Sequence, residues 1–246
     1  ATTPVRRRRR SSCALGEPIR PVLNRSTRIA TLLLIAFPVL LNTAEITNIV
    51  KADPALLYSG LRTTMHAGPV AGYPVIDPSI GFLHQALGKR AIDELTHGTM
   101  PWWNSLEGVG VPLAGGMNSS PFFPLMPLLE LPRGQVFIQV MVQIFAGLAT
   151  FALLKALRLT TLAALFGALL FETNGTITWL GGGWSYPIPC LPLLLYGIER
   201  IRSPDGRIQL RGGFWIAIAV AVSICAGFIE ISFLDGLLGV AWAAVR

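Results

Sequence analysis

From Gln135 to Val245 the sequence is almost continuously apolar, and its charges fall in a few short joins. Apolar runs cover Ile29–Ile49, Gln135–Leu154, Leu159–Phe171, Trp184–Ile198, Gly213–Gly227 and Ile231–Val245. A helix needs about 20 mostly apolar residues to cross a hydrocarbon core of roughly 30 Å. Backbone polar groups in that core must be satisfied within the segment, which selects helices. The runs predict an all-α, polytopic transmembrane helix bundle of about six spans. Leu159–Phe171 is short and is expected to extend through Thr178. Trp184–Ile198 carries Pro187, Pro189 and Pro192, which predicts a kink or a late start. The last two runs joined as one helix would measure about 50 Å at 1.5 Å per residue. The chain is therefore expected to reverse at Gly227-Phe228-Ile229-Glu230.

Charge supplies the orientation. Only 13% of residues are charged, about half the roughly 25% of a soluble domain, and 52% are hydrophobic. This excludes a soluble globular enzyme and a disordered chain. Residues 1–28 hold eight arginines and one glutamate, which is the whole net charge of +7. The basicity belongs to a tail and not to a binding face, so nucleic acid is not an expected partner. Cytoplasmic joins are enriched in Lys and Arg. Lys155 and Arg158 mark one such join, Arg200, Arg202, Arg207 and Arg211 the next, and Arg246 ends the chain. The joins Glu172–Gly183 and Phe228–Glu230 have neither residue. The expected organisation is a basic cytoplasmic tail (1–28), a first transmembrane helix (29–49), a long external loop (50–134) and a helix bundle (135–246). A cleaved signal peptide is the competing reading of the first run, opposed by the long basic region and the later spans. Cys13, Cys190 and Cys225 have neither disulfide-framework nor zinc spacing. Ala1 in place of Met, and an apolar run that stops at Arg246, are expected of a fragment cut at both ends.

The loop 50–134 carries five Lys/Arg, six Asp/Glu and all three histidines, His66, His84 and His97. Asp77-Pro78 is a helix start, because Asp caps and Pro suits the first helical position. Ile80, Leu83, Leu87, Ala91 and Leu95 then recur at steps of three or four, and Gly98 is a fitting terminator. Residues 78–97 predict an amphipathic helix lying on the outer interface. The Trp and Phe cluster at 102–123 reads first as an interfacial belt and second as a platform for sugars. No HxxxH or HxH spacing draws the histidines and Asp77 into a metal site. The expectation is no cofactor, with a divalent metal as the weaker alternative.

The series Ile76-Asp77-Pro78, Pro101-Trp102-Trp103-Asn104, Gly110-Val111-Pro112-Leu113 and Asn118-Ser119-Ser120-Pro121-Phe122-Phe123-Pro124-Leu125 resembles the first external loop of the YfhO-like bacterial membrane proteins. Gly147-Leu148, Leu157-Arg158-Leu159, Leu191-Pro192-Leu193-Leu194, Glu199-Arg200 and Gly227-Phe228-Ile229-Glu230 continue it, over residues 29–246. Those proteins are similar to the GT-C class of polytopic glycosyltransferases, which take sugars from polyprenyl-phosphate carriers on the external face. The resemblance implies a bacterial cytoplasmic membrane, a polyprenyl-phosphate sugar donor, an envelope glycan acceptor and a central carboxylate at Asp77. Many relatives carry a second acidic residue beside the first. Asp77 is flanked by Ile76 and Pro78, which argues against a tightly bound divalent metal.

Such a transfer needs a base for the acceptor hydroxyl and a counter-charge for the leaving phosphate. Asp77 is the candidate base, or else only a helix cap. Arg62, Lys89 and Arg90 are candidate phosphate ligands. His84 lies two helical turns after Asp77 and could share its face. Trp103, Asn104 and Asn118 complete the substrate-binding set, and membrane lipids are the surrounding partner. The rival readings are a transporter or flippase for lipid-linked sugars, and an assembly partner whose loop docks another enzyme. A transporter would place polar groups at mid-membrane in broken helices.

Overall fold

A computed structural model describes residues 25–47, 49, 80–180, 182–201 and 209–246. Arg62, His66 and Asp77 lie outside the described residues, as do most of the basic tail and residues 78–79 of the expected interfacial helix. The described helices are α1 Arg25–Leu41, α2 Thr43–Ile46, α3 Ala86–Thr96, α4 Gly134–Ala156, α5 Thr161–Glu172, α6 Gly175–Leu180, α7 Cys190–Ile201, α8 Leu210–Cys225 and α9 Ile229–Val245. A π-helical turn over Ile80–Gln85 leads into α3. One small antiparallel pair, β1 Trp103–Asn104 with β2 Val111–Pro112, lies in the loop.

Among the described residues only α4, with 23 residues, is both long and apolar enough to cross a membrane. Helices α5 and α8 are apolar but shorter. The expected runs are present as helices, and several are cut short for identifiable reasons. The first ends at Leu41, where the Asn42 side chain turns back to donate to Pro38 O at 2.7 Å. The third stops at Glu172 instead of running through Thr178. Asn174 Oδ1 accepts from Ile177 N at 3.1 Å and starts α6 as a separate helix. The fourth begins late, at Cys190, beyond Pro187 and Pro189. The reversal at Gly227 is present, with φ at 90°. Ser223 and Ser232 join hydroxyls across it at 2.8 Å.

Helix α4 organises the rest. Its N-cap, Arg133, is left-handed (φ 62°), and its side chain donates to Ile46 O at the end of α2. Gln135, Gln139, Gln143 and Gly147 fall four residues apart on one face. All three glutamines are buried. Gln135 Nε2 reaches Tyr186 Oη at 3.3 Å, and Gln139 Nε2 donates to Ile177 O in α6. Gln143 Oε1 accepts from Asn42 Nδ2 at 2.7 Å, and its Nε2 reaches Thr178 Oγ1 at 3.4 Å. The polar stripe therefore holds the end of α1, helix α6 and the start of the proline-rich segment to one helix. Its apolar flanks pack separately. Ile138, Val142 and Ala146 face Phe123, Met126 and Ile177. Phe151 meets Leu34, Ala164 and Ala168, and Ala149 meets Leu193 and Ala219.

Removing Gln143 tests this role. Gln143→Leu removes the shared partner of Asn42 and Thr178, and each intramolecular hydrogen bond lost costs about 0.5–1.5 kcal/mol. A drop of several degrees in the unfolding midpoint is expected, at roughly 2–4 °C per kcal/mol. Met141→Leu, on the exposed side of the same helix, should leave the midpoint in place. Equal midpoints for both variants and the wild type would remove the stripe from the account.

Candidate functional site

Helix α3 has two faces. Gly88, Ala91 and Ile92 are buried against Phe123, Met126 and Leu129. The apolar stripe read from the sequence as a lipid contact is thus covered in part by the loop's own 3₁₀ turn, Met126–Glu130. Arg90, Asp93, Glu94 and His97 stand at i, i+3, i+4 and i+7 and share the other face. The helix ends at His97 with a Schellman pair, Gly98 N to Leu95 O at 3.0 Å and Thr99 N to Glu94 O at 2.9 Å. Gly98 takes φ 77° there, as the terminator reading expects.

The chain then turns back across that polar face. Arg90, Asp93, Glu94 and His97 form one wall of an open cleft of about 450 Å³, and Trp102 and Trp103 form the other. Trp102 is 63% exposed and Trp103 55%. Two features hold Trp103. It pairs with Pro112 across the β1–β2 ladder, and its indole lies on Gly110, where any Cβ would overlap it. Gly110 also has φ 97°. Asn104, next in β1, is buried and closes the turn behind the tryptophan. Its Oδ1 accepts from Leu106 N at 3.1 Å, and its Nδ2 reaches Glu107 Oε2 at 3.4 Å.

The cleft is nearly balanced in charge. Arg90 Nη2 sits 2.8 Å from Glu94 Oε1. His97 Nδ1 lies 2.7 Å from the Asp93 carbonyl oxygen and 3.5 Å from its carboxylate. Two carboxylates, one guanidinium and one imidazole leave no excess of positive charge to attract a phosphate. They offer hydrogen-bond acceptors and donors beside two indole faces, which suits a neutral, hydroxyl-rich ligand.

The expected site residues separate. Arg90 and Trp103 meet in the cleft, with Asn104 as support. Lys89 points the other way and pairs with Glu130 at 3.3 Å. Asn118 is half-buried in a different turn, beside Ser120 (φ 39°), whose Oγ donates to Ala226 O at 2.7 Å. That contact joins the Asn118–Leu125 stretch to the Gly227–Glu230 stretch. His84 is buried under the loop. Trp184 Nε1–H donates to its Nε2 at 3.0 Å, and Phe228 lies 5.4 Å away, ring to ring. An indole N–H can only donate. Nε2 therefore serves as the acceptor in this contact, which lies among aromatic rings and away from the cleft. Asp93 and Glu94 were not singled out in the sequence and His97 was weighed there only for a metal site, although their spacing with Arg90 was visible.

Among the described residues no group of three or more His, Cys, Asp or Glu is placed to hold a metal. A second, apolar cavity of about 250 Å³ lies between α7, α8 and α9, where Asp235 and Cys190 are among its lining residues. Comparison with family models, curated proteins and solved structures finds no match.

Gly110→Ala should displace the Trp103 indole and change the near-ultraviolet circular dichroism. Gly108→Ala, also at positive φ but with open space around it, carries backbone strain without the overlap and should leave that signal in place. Identical spectra for the two variants would show that Gly110 does not position Trp103.

Proposed function

We propose that this chain is a multi-pass membrane glycosyltransferase of the GT-C type, working at the external face on a polyprenyl-phosphate-linked sugar and an envelope glycan acceptor. The observation that carries the reading is the cleft of Arg90, Asp93, Glu94, His97, Trp102 and Trp103. It combines aromatic platforms with paired charges at the N-terminal end of the bundle. The balance of charge makes it a place for the sugar hydroxyls of the acceptor. The phosphate of the donor then falls to other cations of the loop, with Arg62 the first to test, and Asp77 serves as base. Both lie outside the described residues; the role of Asp77 rests on the sequence resemblance, and that of Arg62 on its charge and its place in the loop.

The bilayer reading draws on the helix surfaces. The 17-residue helices α1 and α9 reach about 26 Å at 1.5 Å per residue, near the lower limit for a span. Leu32, Leu33, Phe37 and Leu40 on α1 are exposed, as are Phe233, Leu234, Leu237 and Leu238 on α9. Apolar faces of that extent are at home in lipid and costly in water. In this reading about six helices cross or enter the membrane, the amino terminus is cytoplasmic and the cleft is outside.

One observation favours the transporter reading as a second choice. The glutamine stripe and the helix breaks at Asn42 and Thr173-Asn174 put polar groups inside the bundle, where carriers place them.

The test uses the chain in proteoliposomes with labelled polyprenyl-phosphate sugars and a soluble glycan acceptor. Asp77→Asn should lower turnover by roughly 10²–10⁴-fold, the usual span for general base catalysis. Trp103→Ala should weaken acceptor binding by about tenfold, equivalent to about 1.4 kcal/mol, with little change in donor affinity. Movement of labelled lipid across the bilayer without any transfer would favour the transporter instead.

A further inference from the structure

Glu172 ends α5 with no exposed surface. Neither carboxylate oxygen has a hydrogen-bond partner among the described residues. Its place is built by another residue. The carboxyl lies over Gly147 of α4, where any Cβ would overlap Oε2, and Leu34 of α1 closes the side. Gly147 continues the glutamine face, with Gln143 one turn before it and Thr150 about one turn after. Thr150 is buried, and its hydroxyl oxygen has no partner among the described residues. Among the described residues α1, α4 and α5 thus converge on a carboxyl group that has no ion-pair partner.

The charged groups on the packed elements are remote or of the same sign. Arg25 and Arg28 of α1 lie six or more residues before Leu34. Lys155 of α4 is eight residues beyond Gly147 and bonds to Leu159 O at 3.1 Å. Arg133, at the far end of α4, donates to Ile46 O. The short helix α2 contributes Glu45, a second carboxyl, and Thr178 of α6 is uncharged. A bare carboxylate buried in that setting is strongly disfavoured. A bound positive charge removes the penalty.

We propose that Glu172, framed by Gly147 and Leu34 and with Thr150 farther along the same face of α4, is a binding site for a small monovalent cation, a proton or a sodium ion, between α1, α4 and α5. Occupancy holds the three helices closed, and loss of the cation favours their separation. The site is independent of the transferase reading, because it lies in the helix bundle and shares no residue with the cleft.

The test follows thermal unfolding of the full chain in detergent, for the wild type, Glu172→Gln and Asp235→Asn, across pH and with sodium or choline as the salt. Glutamine keeps the size and neutrality of the protonated acid. The wild-type midpoint is expected to fall as the pH rises in sodium-free buffer, because the closed bundle favours the neutral group. Restoration by sodium at alkaline pH identifies sodium as an occupant, and no restoration identifies the proton alone. Glu172→Gln should lose the sodium response and the share of the pH response that Glu172 carries, while Asp235→Asn, which removes a second buried carboxyl, should keep the sodium response. The same response in Glu172→Gln and the wild type, including none in both, would overturn the proposal. Should Glu172→Gln fail to fold, labelling of the wild type with a hydrophobic carbodiimide replaces it, read by mass spectrometry at the Glu172 peptide. Labelling that is lost at alkaline pH or with sodium supports the site. Labelling that is absent throughout, or unchanged by either, refutes it.

Discussion

The hydrogen bonds that Gln135, Gln139 and Gln143 make from one face of α4 are the interactions on which the rest of the bundle depends. In lipid, apolar contact alone does not hold helices together, because the tails are as apolar as leucine. Polar groups that find partners across helices do so at roughly 0.6–2 kcal/mol each. Here they fix the elements that hydropathy leaves loose: the broken end of α1, the six-residue α6 and Tyr186 ahead of α7. Phe123 stacks on Tyr186 at 4.7 Å between ring centres, so the same stripe reaches the external loop.

Among the described residues, three further contacts hold the loop to that base. Phe123 rests on Tyr186, Ser120 bonds to Ala226, and His84 sits among Trp184 and Phe228. These contacts fix the underside of α3 and free its other face for Arg90, Asp93, Glu94 and His97. A rigid base under an exposed pair of tryptophans is what a recognition cleft requires. The division of labour also explains why His84 and Asn104 are buried. Asn104 supports the cleft from behind, His84 ties the turn before α3 to the bundle, and neither lines the cleft.

The helices were legible in the sequence because apolar runs and proline positions dictate them locally. The late start of α7 and the reversal at Gly227 follow from Pro187, Pro189 and Gly227 themselves. The stop at Glu172 depends on Asn174 capping the next helix, a local competition that hydropathy does not register. The glutamine stripe was visible as a four-residue repeat, but its partners lie 35 to 101 residues away. The cleft was half legible. Arg90 and Trp103 stood out by residue type, whereas Asp93, Glu94 and His97 gain meaning only when the chain folds Trp102 and Trp103 back over them. The apolar side of α3 was read as a lipid contact, since no periodicity shows that Met126 and Leu129 return to cover it.

The account requires α4 to cross the bilayer, with the cleft beyond its first residue and the Lys155–Leu159 join beyond its last on opposite sides. Single cysteines at Ser105 and Leu159, in a chain freed of Cys13, Cys190 and Cys225, measure this with a membrane-impermeant maleimide on intact cells. Labelling of Ser105→Cys in intact cells, and of Leu159→Cys only after permeabilisation, is the predicted result. Equal labelling of both positions before permeabilisation would contradict the bundle's orientation and the external cleft with it.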